Sequence, residues 1–391
     1  MDWNNKTAAN VKAIKPSGIR KFFDIAAQVK GVLSLSIGEP DFAAPDKVLD
    51  AMKASLDAKE TSYTGNSGMM ELREAISHHF EQRYGVYYDP KDEILVTVGV
   101  SEGLAMALLA ITEPGDEVII PDPAYVAYPA SVELAGGTPV FVPTYPEHDF
   151  KLTVEALEKV ITPKTKAIVI GYPNNPTGTV MSAEELMPIA KFAEAHDLIV
   201  LSDEIYCELM YGDAKFTSFA KLPGMRERTV IFNGFSKAYA MTGMRLGYVC
   251  APRKGLAPIL KLHQYAIMCA NTTAQVGGIT ALRDCDDDVE AMRQEYDRRR
   301  QVIYQGLCDM GLPVFEPKGA FYIFPDIRCT GMTSAEFCEK LVQEEKVAVV
   351  PGTAFGDQGE GFVRISYAAS MDTIQEALKR MARFVDKYKS C

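Results

Sequence analysis

KAIVIGYPNNPTGTVMSAEELMPIAKFAEAHDLIVLSDEIY, residues 166–206, decides the fold of this chain. Its ends, KAIVIGY and LIVLSDE, are short apolar runs without alternation, the pattern of strands buried on both faces. Between them AEELMPIAKFAEAH repeats apolar residues at helical spacing, and Ser182 with Glu185 forms a capping box at its start. Strand, helix and strand in such close succession make a βαβ unit, whose two strands run parallel.

The same alternation extends from Glu93 to about Cys250. EILVTV, EVIIP, TPVFVP and RTVIFNG join the strand set, and EGLAMALLAI, VAYPASVELA and LTVEALEKVI join the helices. The predicted architecture is α/β: a mostly parallel sheet between helices, with ligands bound beyond the carboxyl ends of the strands. Upstream, GMMELREAISHHFEQRYG reads as an amphipathic helix burying Leu72, Ile76 and Phe80, with His79 a satisfied flank residue. After about residue 287 a long charged helix leads into AFYIFPDI, another helix, VAVV, GFVRISYA and a final helix, a smaller α+β unit. The expected division is a large domain over 46–286 and a small domain from 1–45 and 287–391. Arg298, Arg299 and Arg300 are expected on a solvated helix face.

Bulk properties narrow the class. The chain has 391 residues, 47% of them hydrophobic, enough for two cores, and a net charge of -11. That acidity argues against a broad nucleic-acid or anionic-membrane surface. The eight cysteines are scattered without C-x-x-C spacing or a histidine cluster, so reduced thiols are expected and no metal site. The first residues show no apolar leader, and no apolar run is long enough to span a membrane, so a cytoplasmic enzyme is expected.

Four motifs sit where strands end. Gly99-Val100-Ser101-Glu102-Gly103 matches a nucleophile elbow, which would make Ser101 the centre of a serine hydrolase. The later histidines are His148, His196 and His263, none near the C-terminus, and no HGGG-type segment occurs. The same turn equally offers helix amides and a hydroxyl to a phosphate, or Ser101 is simply an N-cap. Tyr172-Pro-Asn-Asn-Pro-Thr-Gly178 is a rigid loop that can point Asn175 into a site. Asp203, at the end of LIVL, needs a cationic or donor partner, which a protonated pyridine nitrogen would supply, with Tyr206 able to donate to a phenolate oxygen, or else it is an ordinary cap for a following helix. Lys237, in NGFSKAYAMTGMRLGY, has little around it to hold a salt bridge and can form a Schiff base with an aldehyde cofactor; Arg245, eight residues on, is a fixed cation for a phosphate.

Taken together, SIGEPDFAAP, SYTGNSGMMELREAI, VGVSEGL, PGDEVIIPDPAYVAY, YPNNPTG, SDEIY, GFSKAYAMTGMRLGY, KGAFYIFP and FVRISYA resemble the fold type I, class I aminotransferases of the aspartate and aromatic subgroup. The resemblance spans nearly the whole chain. It implies pyridoxal 5'-phosphate as cofactor, a homodimer with shared active sites, and amino acid and 2-oxo acid substrates exchanged by a ping-pong mechanism. It assigns Lys237 as Schiff-base lysine and proton carrier, Asp203 as partner of the ring nitrogen, and Asn175 and Tyr206 as donors to the cofactor's O3'. Tyr125 would stack on the ring, and Ser101, Glu102, Ser236 and Arg245 would form the phosphate cup. Arg364 would grip the substrate α-carboxylate beside the Gly38 amide, and Tyr63 would reach the neighbouring subunit's phosphate. Ser101 stands where some aspartate-preferring relatives carry lysine, and Tyr125 and Met244 replace tryptophans common in the family. Side-chain specificity stays open among alanine, aromatic, branched, acidic and acylated dibasic amino acids. A C–S β-lyase of the same fold is the alternative.

Overall fold

The computed structural model describes residues 1–14, 18 and 29–389. Part of the expected N-terminal arm (15–17 and 19–28) and residues 390–391 lie outside the described residues. In chain order the strands are β1 Leu33–Ser34, β2 Ile94–Thr97, β3 Glu117–Asp122, β4 Thr138–Pro143, β5 Thr165–Ile170, β6 Ile199–Asp203, β7 Thr229–Gly234, β8 Gly247–Cys250, β9 Tyr322–Ile323, β10 Val347–Ala348, β11 Val350–Pro351 and β12 Val363–Ser366.

Seven of these form one sheet in the order β2-β8-β7-β6-β5-β3-β4, with β8 alone antiparallel to its neighbours. Successive residues along a strand face opposite sides, so each strand feeds two cores. Ile94 and Val96 pack with the helices Asp46–Asp57, Met70–Tyr84 and Thr272–Asp284, whereas Leu95 packs with Gly99–Ile111 and Arg253–Ala266. Every residue of β2, β7 and β8 is buried, which is why the β2 and β7 runs read as largely apolar. Leu72, Ile76 and Phe80 are fully buried as expected, and His79 bonds Glu208 at 3.1 Å. The capping box of Ser182 and Glu185 opens the helix Ala183–Ala195.

The C-terminal part has its own core. The helices Asp286–Asp309, Ser334–Glu345 and Met371–Tyr388 surround the antiparallel sheet β11-β12-β9, with Tyr296, Phe321 and Phe337 at the centre. β1 pairs in parallel with β10, so the segment around Leu33 joins this part.

Two expectations need correction here. LTVEALEKVI is helical only over Val154–Leu157, because β-branched Val160, Ile161 and Thr162 lead into Pro163, which disfavours helix in the residue before it. The arginine triplet is not a solvated face: Arg298 is exposed, but Arg299 and Arg300 are only 6% and 4% exposed. Arg299 pairs with Asp41 and Glu295, and Arg300 with Asp297 and Glu316.

Candidate active site

Strand direction gathers the motifs. In a parallel sheet the carboxyl ends share one edge, and the residues following β2, β3, β5, β6 and β7 meet there. Since β8 runs the other way, its first residue lies at that edge as well, and Arg245 arrives two residues before it. The result is a cavity of about 480 Å³ lined by Ser101, Tyr125, Asn175, Asp203, Lys237 and Arg364, among others. Gly38, Tyr206, Ser236 and Arg245 line it too.

Lys237 Nζ donates to the Gly38 carbonyl at 2.7 Å. Burial, with the Arg364 guanidinium nearby, pulls its pKa down from 10.5 to about 8. Asp203 lies at the floor, where Oδ2 accepts from the Tyr128 hydroxyl at 2.7 Å and Oδ1 from the Ile205 amide at 3.2 Å. Burial raises the Asp203 pKa, and those two bonds oppose the rise. The adjacent Glu204 faces away and is held by Ser202, Ser218 and the Phe219 amide.

Arg364 is the most deeply buried cation of the site, 2% exposed. Its Nη1 donates to Asn175 Oδ1 at 3.0 Å and its Nη2 to the Ser36 carbonyl at 2.6 Å, while Nε has no partner. The guanidinium lies 4.5 Å from the Tyr322 ring centroid and 4.8 Å from that of Phe355. Among the described residues neither Arg364, Lys237 nor Arg245 forms an ion pair, and neither does Asp203. Asn174, by contrast, is spent on its own loop, bonding Gly171 and Thr177, which leaves Asn175 as the residue facing the cavity.

The anion end is built on the helix Gly99–Ile111. Gly99 has φ +73, and a Cβ there would stand 2.7 Å from Arg245 Nη2, so only glycine lets the guanidinium lie against the turn. Gly247 lets the β8 backbone lie against the same turn, since its Cβ would fall 2.7 Å from the Gly99 carbonyl carbon. Arg245 itself is in the left-handed conformation, with Nη1 bonded to the Thr242 carbonyl.

Two sequence-derived residues keep their side chains out of this cavity. Tyr63 is 80% exposed and does not line the cavity of its own chain. The Glu102 carboxylate turns away from the cavity and bonds the Val98 amide and His263, so only its backbone is available to a phosphate. Nor is Ser101 an N-cap, for the helix begins at Gly99 with Val98 at the cap. The hydrolase reading fails with it: Ser101 faces the cavity, whereas His263 is fully buried beyond Glu102.

Sequence reasoning missed Tyr128 and Tyr322. Tyr128 lies in the first turn of the helix Ala127–Leu134 with its amide bonded to the Tyr125 carbonyl at 3.1 Å, and the two rings meet edge-on with centroids 5.6 Å apart. Tyr322 places its hydroxyl 2.8 Å from that of Tyr206. Only its position in an apolar strand, where a hydroxyl needs a partner, pointed to it.

A buried lysine without a counter-ion, a buried carboxylate without a cation and two further unpaired cations call for a ligand carrying an aldehyde, a basic ring nitrogen and anionic groups. The family model for aminotransferase class I and II matches residues 30–381. The chain belongs to this family. It is 50% identical to an aspartate aminotransferase of Pyrococcus abyssi, over 96% of this chain and 97% of that one. It is 47% identical to an aromatic-amino-acid aminotransferase of Thermococcus litoralis, over 97% and 98%. The crystal structure of the aromatic aminotransferase from Pyrococcus horikoshii superposes with a TM-score of 0.90 at 48% identity, covering 94% of this chain and 99% of that one.

The aminotransferase is therefore a pyridoxal 5'-phosphate enzyme with the fold type I architecture, acting on amino acids and 2-oxo acids. The donor set fits that cofactor: an unpaired amine at Lys237, an unpaired carboxylate at Asp203, and Arg245 over the amides of a helix start. No helix among the described residues is long and apolar enough to cross a membrane.

Proposed function

We propose that this aminotransferase works by ping-pong exchange with Lys237 as Schiff-base lysine, and that Arg364 receives the α-carboxylate of every substrate. Arg364 carries this reading. A buried guanidinium held only by neutral oxygens, with Nε unpartnered, is costly unless a carboxylate completes it.

Pyridoxal phosphate, when bound, supplies an electron sink for the charge left at the substrate's α-carbon. Asp203, kept acceptor-only by the Tyr128 hydroxyl and the Ile205 amide, would hold a proton on the ring nitrogen. Tyr206 and Asn175 would donate to O3', and Ser101, Ser236, Arg245 and the first-turn amides would hold the phosphate. Tyr125 would cover the ring. Arg364, beside the Gly38 amide, fixes the α-carboxylate and thereby turns the Cα–H bond toward Lys237. Lys237 Nζ, with a pKa near 8, is unprotonated often enough near neutral pH to take that proton and still basic enough to return it. One oxo acid leaves before the next arrives, so a single carboxylate grip serves both half-reactions.

Two further parts belong to this reading. Exposed Tyr63 would reach the phosphate of a second subunit, making the enzyme a homodimer with shared sites. The separate core around Tyr296 and Phe321 supports a small domain of 1–45 and 287–391 against a large domain of 46–286. Borohydride reduction of the loaded enzyme should label Lys237, and a panel of amino donors against 2-oxoglutarate and pyruvate should give parallel initial-rate lines. Release of pyruvate and ammonia from cystathionine without any oxo-acid acceptor would overturn the assignment in favour of a β-lyase.

A further inference from the structure

The Glu102 carboxylate sits one residue from the phosphate cup yet points away from it. Oε1 accepts from His263 Nδ1 at 3.0 Å, and Oε2 accepts the Val98 amide at 2.9 Å. His263 belongs to the helix Arg253–Ala266, which packs along Gly99–Ile111, and it has no exposed surface. Its Nε2 is buried without a partner, and neither side chain lines the cavity.

An imidazole buried with one nitrogen unpaired is costly, so the bond at its other nitrogen must matter. That bond holds the entrance of the helix. The cap residue, Val98, has no side-chain oxygen to satisfy the first turn, and no side-chain cap bond forms there. Glu102, at the fourth helical position, takes the cap residue's own amide instead, as the third residue of a capping box does. With that turn closed, the leading amides of the helix stay beside Ser101 and Arg245. Freed from His263, Glu102 would be an anion within a turn of those amides, competing with any phosphate for them.

We infer that His263 is a positioning residue of the phosphate site: it fixes Glu102 in the orientation that closes the Val98 turn and keeps a rival carboxylate off the anion-binding amides. This rests on the reading that the cofactor phosphate binds at the start of Gly99–Ile111. His263 touches neither substrate nor cofactor and acts through Glu102.

The test compares the affinity of the apoenzyme for pyridoxal phosphate with that for pyridoxal, which lacks the phosphate. His263→Phe should cut the preference for the phosphorylated form roughly tenfold, the equivalent of about 1.4 kcal/mol. Pyridoxal affinity should stay unchanged, and inhibition of reconstitution by inorganic phosphate should weaken by the same factor. His263→Asn, whose amide can donate from near the place of Nδ1, should recover most of the preference. If His263→Phe does not fold, His263→Gln, which cannot reach Glu102 in the same way, should show the same loss. An equal fall in both affinities would mean a structural role only, and an unchanged preference would also overturn the inference. Ser101→Ala and Arg245→Leu separate the two levels. If they lower the preference while His263→Phe does not, the positioning role fails alone. If none of the three moves it, the phosphate reading fails as well.

Discussion

Arg299 and Arg300 in one helix and Arg364 in the cavity all lie out of solvent, and the chain treats them in opposite ways. In the helix Asp286–Asp309, Arg299 bonds Asp41 and Glu295 at 2.8 Å each, and Arg300 bonds Glu316 at 2.6 Å and Asp297 at 2.8 Å. In the cavity, Arg364 is more deeply buried and meets only the neutral oxygens of Asn175 and Ser36. Burial lowers the Arg364 pKa, whereas ion pairing raises those of Arg299 and Arg300 against the effect of burial. A cation buried with its counter-charge ties elements together. One buried without it stores affinity for an anion that the chain does not supply.

The largest effect should come from the unpaired lysine. Lys237→Ala should lower kcat/KM by about 10⁴-fold or more, the upper range for loss of a general acid–base group, and remove the visible band of the bound cofactor. Turnover within tenfold of the parent would refute its role. Next, Arg364→Ala should cost roughly 2–5 kcal/mol in kcat/KM for all amino acids alike, as for one lost member of a buried charge pair. Its thermal stability should not fall, because the native apoenzyme gains no ion pair from this residue. An effect confined to one substrate side chain would contradict the carboxylate role.

Much of this was legible in the sequence, for physical reasons. Strands buried on both faces have to be apolar throughout, and the six runs read from Glu93 onward all proved to be strands, although β4, at the sheet edge, exposes Thr138 and Phe141. β8 was not read as a strand because GYVC is short and follows the motif directly. The loops after the strands were legible because a ligand edge demands particular residues at fixed places. Helix rotation was the harder part: neighbours on a helix point about 100° apart, so Ser101 and Glu102 cannot both face the cavity. The partners of Arg299 and Arg300 include Asp41 and Glu316, which only the tertiary fold brings near. Composition makes three consecutive arginines look solvated, and nothing local says that two are not. Tyr322 escaped because its neighbours Tyr206 and Arg364 come from distant segments.

The comparison sharpens with pH. The folded-state pKa of Lys237 is about 8, below the 10.5 of an unconstrained lysine. Below pH 8 the buried ammonium destabilises the folded apoenzyme in full. Between pH 8 and 10.5 the folded chain has already lost that proton while the unfolded chain still holds it, so the penalty fades as pH rises. Apo Lys237→Met should therefore be more stable than the apo parent at pH 7 by up to about 3 kcal/mol, and the gap should close by pH 10.5. A difference that does not change with pH would remove desolvation as the cause.

The paired arginines should give the reverse sign and the smaller effects. Arg300→Ala should destabilise by about 1–3 kcal/mol, because Asp297 and Glu316, both partly solvated, recover some hydration when the buried guanidinium goes. Cofactor affinity and kcat should stay as in the parent. Arg298 completes the series within the same helix. It bonds Glu295 at 2.8 Å, as Arg299 does, yet its side chain is 60% exposed. A solvated pair of this kind gains little, since water replaces each partner when the other is removed. Arg298→Ala should leave the melting temperature within the scatter of repeated scans at any salt concentration. If instead it melts as early as Arg300→Ala, then depth of burial is not what separates the three arginines, and the contrast with Arg364 would have to be rebuilt on geometry alone.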